Sequence, residues 1–303
     1  MPLDRIVEPV AYGPLPDRDN FWRTTVAPPA VPRMQGAQET GFAVLGAGFT
    51  GLSAALTLAE AGADVAVIDA HGPGWGASGR NGGFCCLGGA ALSDHQVAKR
   101  YGQGAARAWF AAERAAVDQV AETLDTHGID ADRHSKGETL LAHTPARLPD
   151  LKERADTIRA RYGLEVALHP KEELAQLGMA SPEFHGAVTV PIGFALNPLK
   201  YAAGLAEAAS RAGARLYGDS PVTKIARENG GFVLKTPTGE LRARKLLAGL
   251  RELMAAPGTA QSRLDAIVQL IAREMRSDVC SVYALRAGEV LELFASVGLN
   301  PDA

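Results

Sequence analysis

Apolar residues between positions 41 and 68 follow two different periods, which predict a strand, a helix and a second strand. Residues 42–45 form a continuous apolar run bounded by glycines, which is typical of a strand buried on both faces. Residues 64–68 repeat this strand pattern, and residues 54–61 between the two runs are expected to be helical. The apolar positions at helical spacing there are Leu52, Ala55, Leu56 and Ala59. These elements predict a βαβ unit with a right-handed crossover.

The middle of the chain continues with mixed elements. Two helices are predicted at residues 104–125 and 200–212, the first from the helical spacing of Phe110, Val117, Val120 and Leu124. Asn229-Gly230 between two apolar runs predicts a hairpin turn. Strands are expected at residues 139–141, 187–190, 215–217, 222–226, 232–236 and 241–247. This order favours an α/β fold with a nucleotide-binding core and an antiparallel β insertion.

The two ends of the chain have a different character. Residues 1–40 are rich in proline and charge without a sustained period, so we interpret them as an extended lead-in. Residues 264–275 predict an amphipathic helix, and residues 279–285 and 290–295 predict two strands. Because an isolated two-stranded sheet is marginal in water, this tail is expected to lie apart from the core or to dock on it loosely. The predicted division is therefore 1–40, 41–247 and 248–303.

Composition and charge exclude several classes of protein. The 303 residues are 47% hydrophobic and 21% charged, with a formal net charge of −3, which indicates a globular protein rather than a disordered or coiled-coil one. No basic excess exists to neutralise nucleic-acid phosphates. Three cysteines cannot form a disulfide framework, and no cysteine–histidine cluster predicts a zinc site. We find no signal peptide and no apolar run of membrane-spanning length, so a cytoplasmic location is expected.

The strongest chemical signal is the motif Gly46-Ala47-Gly48-Phe49-Thr50-Gly51, which follows the first strand and opens the first helix. Gly46 permits a tight turn, Gly48 lets the backbone approach a pyrophosphate, and Gly51 lets the helix pack closely on the strand. The phosphate is expected at the helix start, where backbone N–H groups and the helix dipole favour an anion. Asp69 ends the second strand, where a carboxylate can accept hydrogen bonds from ribose hydroxyls. This motif predicts a dinucleotide site without separating NAD from FAD.

A second glycine-rich motif, at residues 76–83, separates the two cofactors through a resemblance. Ser78 and Asn81 can hydrogen-bond, Arg80 supplies charge, and Gly82 and Gly83 leave room for a ligand. The alternative is a flexible glycine loop. In this position the motif resembles the second flavin-contacting segment of the D-amino-acid-oxidase-like FAD-dependent oxidoreductases, and more narrowly of their gamma-glutamylputrescine oxidoreductase group. The resemblance implies an FAD/NAD(P)-binding Rossmann-like core.

The resemblance continues downstream, in residues 137–142, 197–201 and 220–223. It implies that Val222 lies against the adenine, although a valine at the start of a strand is more often plain core, and that the turn at Asn197 lies near the substrate. The FAD-binding set that it implies is Gly46, Gly48, Phe49, Thr50, Gly51, Asp69, Ala70, Ser78, Arg80, Asn81, Gly82, Gly83 and Val222. No catalytic residue and no metal site is named.

The implied chemistry is oxidation of a C–N bond in a small-molecule amine or amino acid, with gamma-glutamylputrescine as a candidate. In this family flavin accepts a hydride from the carbon that carries the amine, the imine hydrolyses, and dioxygen reoxidises the flavin with formation of hydrogen peroxide. The cofactor carries the reaction, and the protein supplies orientation and electrostatics.

The resemblance weakens after Leu247, where the family normally has an Ala-Thr-Asn or Ala-Thr-Gly turn. Here residues 248–252 are expected to run into a helix, and residues 246–301 resemble the opening of the GAF domain of nitrogen-type phosphoenolpyruvate–protein phosphotransferase. Two hypotheses follow from this. One is an FAD-dependent amine or amino-acid oxidoreductase, and the other is a fused or truncated chain without activity that binds FAD at most and carries a partial regulatory GAF-like segment.

Histidines and cysteines add little to this picture. His71 is close enough to Asp69 to lie near an adenosine, but a place in a surface loop is equally consistent with its position. The other six histidines show no metal-ligand spacing and no nucleophile partner. Cys85 and Cys86 follow the second glycine motif, where a thiol linked to flavin is conceivable, but small buried cysteines are commoner.

Overall fold

A computed structural model describes residues 20–88 and 94–248, together with the backbone of residues 280–286 and 290–297. The strands are β1 (Gly36–Leu45), β2 (Val65–Ile68), β3 (Phe84–Cys85), β4 (Glu138–Leu141), β5 (Ala167–Pro170), β6 (Gly186–Val190), β7 (Phe194–Ala195), β8 (Arg215–Tyr217), β9 (Lys224–Glu228), β10 (Gly231–Thr236), β11 (Gly239–Ala248), β12 (Cys280–Arg286) and β13 (Val290–Val297). The helices are α1 (Phe49–Glu60), α2 (Asp94–His127), α3 (Leu148–Tyr162) and α4 (Pro198–Arg211).

The described residues divide into two compact units. The first contains residues 20–24, 29–75, 206–248, 280–286 and 290–297, and the second contains residues 25–28, 76–88 and 94–205. The predicted βαβ unit lies in the first unit, and the second glycine-rich motif lies in the second. The first unit contains a six-stranded sheet, and the second contains two smaller sheets.

A six-stranded sheet organises the first unit, in the order β8-β2-β1-β11-β10-β9. Strands β8, β2, β1 and β11 are parallel, and β10 and β9 add antiparallel strands at one edge. This arrangement confirms an α/β fold with an antiparallel addition. The buried apolar residues of β1, β2, β10 and β11 form one core cluster together with Met34, which is fully buried.

Strand β1 begins at Gly36, whereas the apolar run predicted that regular structure begins at Gly41. The first half of the strand is largely exposed and has no continuous apolar run, so its residues did not predict a strand. Its pairing with β11 explains the extension, because Gly36 lies opposite Gly239 in a parallel register. An added Cβ at Gly239 would meet the carbonyl oxygen of Gly36 at 2.2 Å, so only glycine permits this approach.

The hairpin between β9 and β10 has the turn that its sequence predicts. Asn229 and Gly230 have φ angles of 50° and 78°. Positive φ at both central residues is the geometry of a type I′ turn, which matches the twist of the flanking strands. Strand β9 begins at Lys224 rather than at Val222, so Val222 precedes the strand and is only half-buried.

The second unit contains α2, α3 and two small antiparallel sheets, β4-β6-β5 and β3-β7. Helix α2 is interrupted at Gly102, whose φ of 84° is not helical. The predicted start at Gly104 falls at the beginning of its second segment, and the first segment, from Asp94, was not predicted. Helix α3, which packs on β6 and β5, was not among the predicted elements. Its buried positions Leu151, Ala155 and Ile158 recur at helical spacing, so the signal was present in the sequence.

The terminal segment is described only in part. Strands β12 and β13 pair antiparallel with a register shift between Val282 and Tyr283, which confirms the two predicted strands. Strand β11 extends to Ala248, so the helix expected over residues 248–252 does not begin at Ala248. The helix predicted at residues 264–275 and its expected docking lie outside the described residues.

Candidate functional site

The glycine motif of the first unit forms a tight turn between β1 and α1. Gly46 has a φ of 102°, which glycine adopts without steric cost, and its N–H donates to the carbonyl of Ile68 at 2.9 Å. An added Cβ at Gly51 would meet the carbonyl oxygen of Gly46 at 2.0 Å. Helix and turn are therefore in direct backbone contact, as the spacing of the motif predicted.

The start of α1 is suited to an anion. Gly48 is the N-cap residue and has no side chain to cap the helix, and the first turn carries no acidic residue. Phe49 is half-buried and Thr50 is exposed at this helix start. The backbone N–H groups and the dipole of a twelve-residue helix converge here, which is the arrangement that binds phosphate in dinucleotide sites.

Asp69 bridges the glycine turn and the segment after β2. Its Oδ2 accepts a hydrogen bond from the N–H of Ala47 at 2.7 Å, and its Oδ1 accepts one from the N–H of His71 at 2.8 Å. A carboxylate has about four lone-pair sites, so two donors leave capacity for ribose hydroxyls. The carboxylate is therefore held in one place beside the glycine turn.

The segment after β8 lies next to Asp69. The N–H of Asp69 donates to the carbonyl of Tyr217, and the N–H of Ser220 donates to the carbonyl of Asp69, both at 2.9 Å. Val222 follows and packs against the core cluster of the six-stranded sheet, while Ala70 is exposed. The packing contact of Val222 is observed, and its contact with adenine stays a prediction.

These features fit the ADP half of FAD. The glycine turn packs directly on α1 through Gly51, the helix start has no side-chain cap, and the carboxylate of Asp69 is positioned with acceptor capacity remaining. Each part suits a different group of the cofactor: the helix start suits the pyrophosphate, and the carboxylate suits the ribose.

The second glycine motif is organised by Asn81. Its Nδ2 donates to the carbonyls of Ala77 and Ser78 at 3.2 and 2.9 Å, and its Oδ1 accepts from the N–H of Gly83 at 2.9 Å. The segment is thus an ordered turn with a short 3₁₀ helix at Ala77–Gly79, rather than a flexible loop. The side chain of Asn81 shapes the turn from within.

The other members of this motif occupy different environments. Ser78 and Arg80 are half-buried, and Gly82 is exposed beside the ring of Phe84. Gly83 is buried with a φ of 76°, and an added Cβ there would meet the carbonyl oxygen of Leu196 at 2.1 Å. The motif therefore needs glycine at position 83 in order to approach the Leu196 backbone.

Phe84 is an exposed residue that was not among the predicted site residues. Its side chain is 78% exposed, although it belongs to a strand pair with β7. Its position directly after Gly83 is a signal in the sequence from which Phe84 could have been chosen as a candidate site residue.

The turn at Asn197 carries a polar network that the sequence did not predict. The buried side chain of Asn197 accepts from the N–H groups of Leu199 and Lys200 through Oδ1, and thereby caps α4. Its Nδ2 donates to Thr25 and Asp132 at 2.8 and 3.2 Å. An asparagine directly before the proline that opens a helix is a capping signal, so this role was accessible from the sequence.

Asp132 and Lys200 extend this network. Lys200 Nζ lies 2.6 Å from Asp132 Oδ1. The hydrogen bond from Lys200 lowers the pKa of Asp132, and the same contact raises the pKa of Lys200. Asp132 has a φ of 51°, so the ion pair and the bond from Asn197 hold a left-handed residue in place.

Both cysteines that follow the second motif have weakly acidic thiols. Burial raises the pKa of Cys85. Burial and the neighbouring carboxylate of Glu138, 3.7 Å from the Cys86 sulfur, raise the pKa of Cys86 to about 11. Because the thiolate is the reactive form, neither thiol is prepared for nucleophilic chemistry near neutral pH.

Two kinds of feature are absent from the described part of the chain. No group of three or more metal-ligating side chains was found there. None of the described helices is both long enough and apolar enough to cross a membrane.

Known proteins with similar sequences cover most of this chain. The family described as FAD dependent oxidoreductase, DAO, matches residues 42–273. "Probable oxidoreductase OrdL" of Rhizobium meliloti is 32% identical over 72% of this chain and 51% of that protein. "Gamma-glutamylputrescine oxidoreductase" of Escherichia coli is 30% identical over 78% of this chain and 55% of that protein. The chain spans about half the length of these curated relatives.

A comparison of folds gives a consistent result. Glycine oxidase from Geobacillus kaustophilus matches 86% of this chain and 71% of its own with a TM-score of 0.56 and 24% identity, which indicates a shared fold. The family match extends past Leu247 to residue 273, into the segment expected to resemble a GAF domain. The comparisons do not support that GAF resemblance.

Proposed function

Because the chain belongs to the FAD dependent oxidoreductase family, DAO, we propose that it acts in the oxidation of a C–N bond in an amine or amino acid. FAD is the cofactor of this family. The observation that carries the proposal is the turn at Gly46, where α1 starts without a side-chain cap and Asp69 is fixed beside it.

We assign the contacts with FAD to the two glycine motifs, to the residues that follow β2, and to Val222. In the first unit, the ADP half would be held by Gly46, Gly48, Phe49, Thr50, Gly51, Asp69, Ala70 and Val222. In the second unit, Ser78, Arg80, Asn81, Gly82 and Gly83 would contact the diphosphate and the flavin.

Each part of the first unit has a separate task. The N–H groups at the start of α1 bind and orient the pyrophosphate, and Asp69 accepts hydrogen bonds from the ribose hydroxyls. When bound, FAD supplies the acceptor for the hydride that leaves the carbon bearing the amine. The chain's residues therefore position the cofactor.

The substrate class is suggested by names among the relatives. One relative is a gamma-glutamylputrescine oxidoreductase and one structural neighbour is a glycine oxidase. We propose gamma-glutamylputrescine as the first amine to test and glycine as the first amino acid.

The test begins with reconstitution of the purified chain with FAD, followed by removal of free cofactor and measurement of bound flavin absorbance. Each substrate is then added anaerobically, and bleaching of the flavin absorbance reports reduction. Ser53 is an exposed residue on α1, and the Ser53→Ala variant serves as a control that should bind FAD like the wild type.

The outcomes separate the hypotheses. Bound flavin that is bleached by an amine or amino acid supports the proposal. Bound flavin that no amine or amino acid bleaches overturns the activity and leaves a chain that only binds FAD. A wild-type chain that binds no FAD overturns both.

A further inference from the structure

Two aromatic side chains between β2 and the second glycine motif are stacked on each other. The ring centroids of His71 and Trp75 are 3.7 Å apart, with an angle of 20° between the ring planes. His71 is exposed, whereas Trp75 is half-buried. The imidazole is therefore supported by the indole while it retains surface accessible to a ligand.

The backbone holds this stacked pair in place at both ends. The N–H of His71 donates to Asp69 Oδ1 at 2.8 Å, and its carbonyl accepts from the N–H of Asp219 at 2.6 Å. An added Cβ at Gly218 would meet the carbonyl oxygen of His71 at 2.6 Å. Position 218 therefore requires glycine. Close to Trp75, the N–H of Gly74 donates to the carbonyl of Ala47 at 2.9 Å.

These bonds place the imidazole beside the carboxylate that we assign to the ribose. In adenosine the base is attached to the ribose carbon next to the one that carries the 2′-hydroxyl. A ribose held by Asp69 therefore brings its adenine close to His71, whose own N–H binds the same carboxylate. A flat aromatic side chain is the surface on which a nucleic-acid base stacks.

We propose that His71, supported by Trp75, is a stacking platform for the adenine of FAD; this inference rests on the proposed function. A ring already packed on one side loses little conformational freedom when a base covers its other side. The platform contacts only the adenosine half of the cofactor. It therefore distinguishes FAD and ADP, which contain adenine, from FMN, which lacks it.

The experiment measures the affinities of FAD, FMN and ADP for wild type, His71→Ala and His71→Phe. ADP binding is measured by its competition with FAD. We expect His71→Ala to weaken FAD and ADP binding by about tenfold, which corresponds to the loss of one aromatic–base stack. His71→Phe keeps a flat ring and should retain affinity within about twofold on the same grounds. His95→Ala, an exposed histidine on α2, is the control and should bind like the wild type.

A second measurement needs no variant at position 71. Addition of ADP to the wild type should change its tryptophan emission, and Trp75→Phe should lose that change. This result reports on the platform even where His71→Ala does not fold.

The outcomes distinguish this inference from the proposed function. If the wild type binds no FAD, the proposed function fails. If it binds FAD, the platform is overturned by a folded His71→Ala chain with wild-type affinity for FAD and ADP, by an equal loss of FMN affinity, or by an ADP-induced emission change that persists in Trp75→Phe.

Discussion

Asp69 shows how one side chain can serve the fold and the proposed cofactor site together. Its two oxygens accept backbone hydrogen bonds from Ala47, in the glycine turn, and from His71, after β2. An acid at this position is expected from the dinucleotide motif because of the ribose. The structure adds that the carboxylate also fixes the turn to which the pyrophosphate would bind.

Asp69→Asn should therefore destabilise the chain as well as weaken FAD binding. An amide has only one acceptor oxygen, so its NH₂ group must face one of the two backbone N–H donors. We expect a loss of about 1–3 kcal/mol in the free energy of unfolding, measured by urea denaturation. Asp219→Asn is the matched control, since Asp219 is exposed and its φ of 45° suits asparagine. Equal stability of Asp69→Asn and wild type would contradict this account.

Cys86 gives a prediction about pH. Because burial and Glu138 raise the pKa of this thiol to about 11, its alkylation by iodoacetamide should be slow at pH 8 and should accelerate up to about pH 11. Glu138→Gln removes the negative charge, so the midpoint of the pH–rate curve should move to lower pH. The measurement uses a Cys85→Ser, Cys280→Ser background. A midpoint that does not move in Glu138→Gln would show that Glu138 has no part in the shift.

At the scale of elements, close backbone approach decides where helices lie. Helix α1 packs on β1 and β2 through Gly51, whose missing side chain lets the helix touch the Gly46 carbonyl. Helix α4 depends on a different device, because the buried amide of Asn197 caps its start and binds two other segments. Both devices use a single residue to fix a whole element.

Gly51→Ala should destabilise the first unit, although alanine is the better helix former. The added methyl group would lie 2.0 Å from the Gly46 oxygen, and forcing the helix away is expected to cost about 1–3 kcal/mol in the free energy of unfolding. Gly104→Ala in α2 is the matched control, because nothing lies within 4 Å of its added Cβ. There we expect a gain of about 0.5–1 kcal/mol from helix propensity. Thermal or urea unfolding monitored by circular dichroism compares the two variants, and a stabilised Gly51→Ala would contradict this packing.

Asn197→Ala should lose the cap of α4 and leave its buried partners without this amide. We expect the free energy of unfolding, measured in urea, to fall by about 2–4 kcal/mol, because the cap and the buried hydrogen bonds are lost together. Asn197→Ser keeps an oxygen that can cap the helix and should lose clearly less. If serine and alanine destabilise equally, the cap contributes nothing and only the Nδ2 bonds matter.

At the scale of the whole molecule, the residues assigned to FAD come from distant parts of the chain. The glycine turn, Asp69 and Val222 belong to the first unit, and residues 78–83 belong to the second. A bound ligand suppresses the local opening of the backbone that it contacts. The cofactor should therefore leave a protection pattern that follows these segments rather than the chain as a whole.

Hydrogen–deuterium exchange with and without FAD measures that pattern. We expect slower exchange at residues 46–52, 69–71 and 222, where backbone groups of the first unit would contact the ADP half. Residues 77–83 test the second glycine motif separately. Helix α3, which contributes no residue to the assigned set, should exchange equally in both states. Slower exchange at α3 without slower exchange at residues 46–52 would overturn the assignment.

Most elements of the first unit were predictable because their signals are local. The βαβ unit, the Asn229-Gly230 hairpin and the glycine turn each depend on spacing within a short segment. Strand β1 was predicted too short because its early half is exposed and is held by pairing with β11, which is distant in the sequence. Helix α3 was missed although Leu151, Ala155 and Ile158 carried a local signal.

The sequence by itself determined the dinucleotide motif, its βαβ setting and the acid at position 69, because each depends on residue type at fixed local spacing. Only the tertiary structure showed that Asp69 fixes the glycine turn, that Asn197 binds Thr25 and Asp132 at the start of α4, and that His71 stacks on Trp75 beside the Asp69 carboxylate. The first two contacts join residues far apart in sequence, and the third depends on the path of a loop. Spacing along the chain does not encode such distances, whereas the folded backbone sets them.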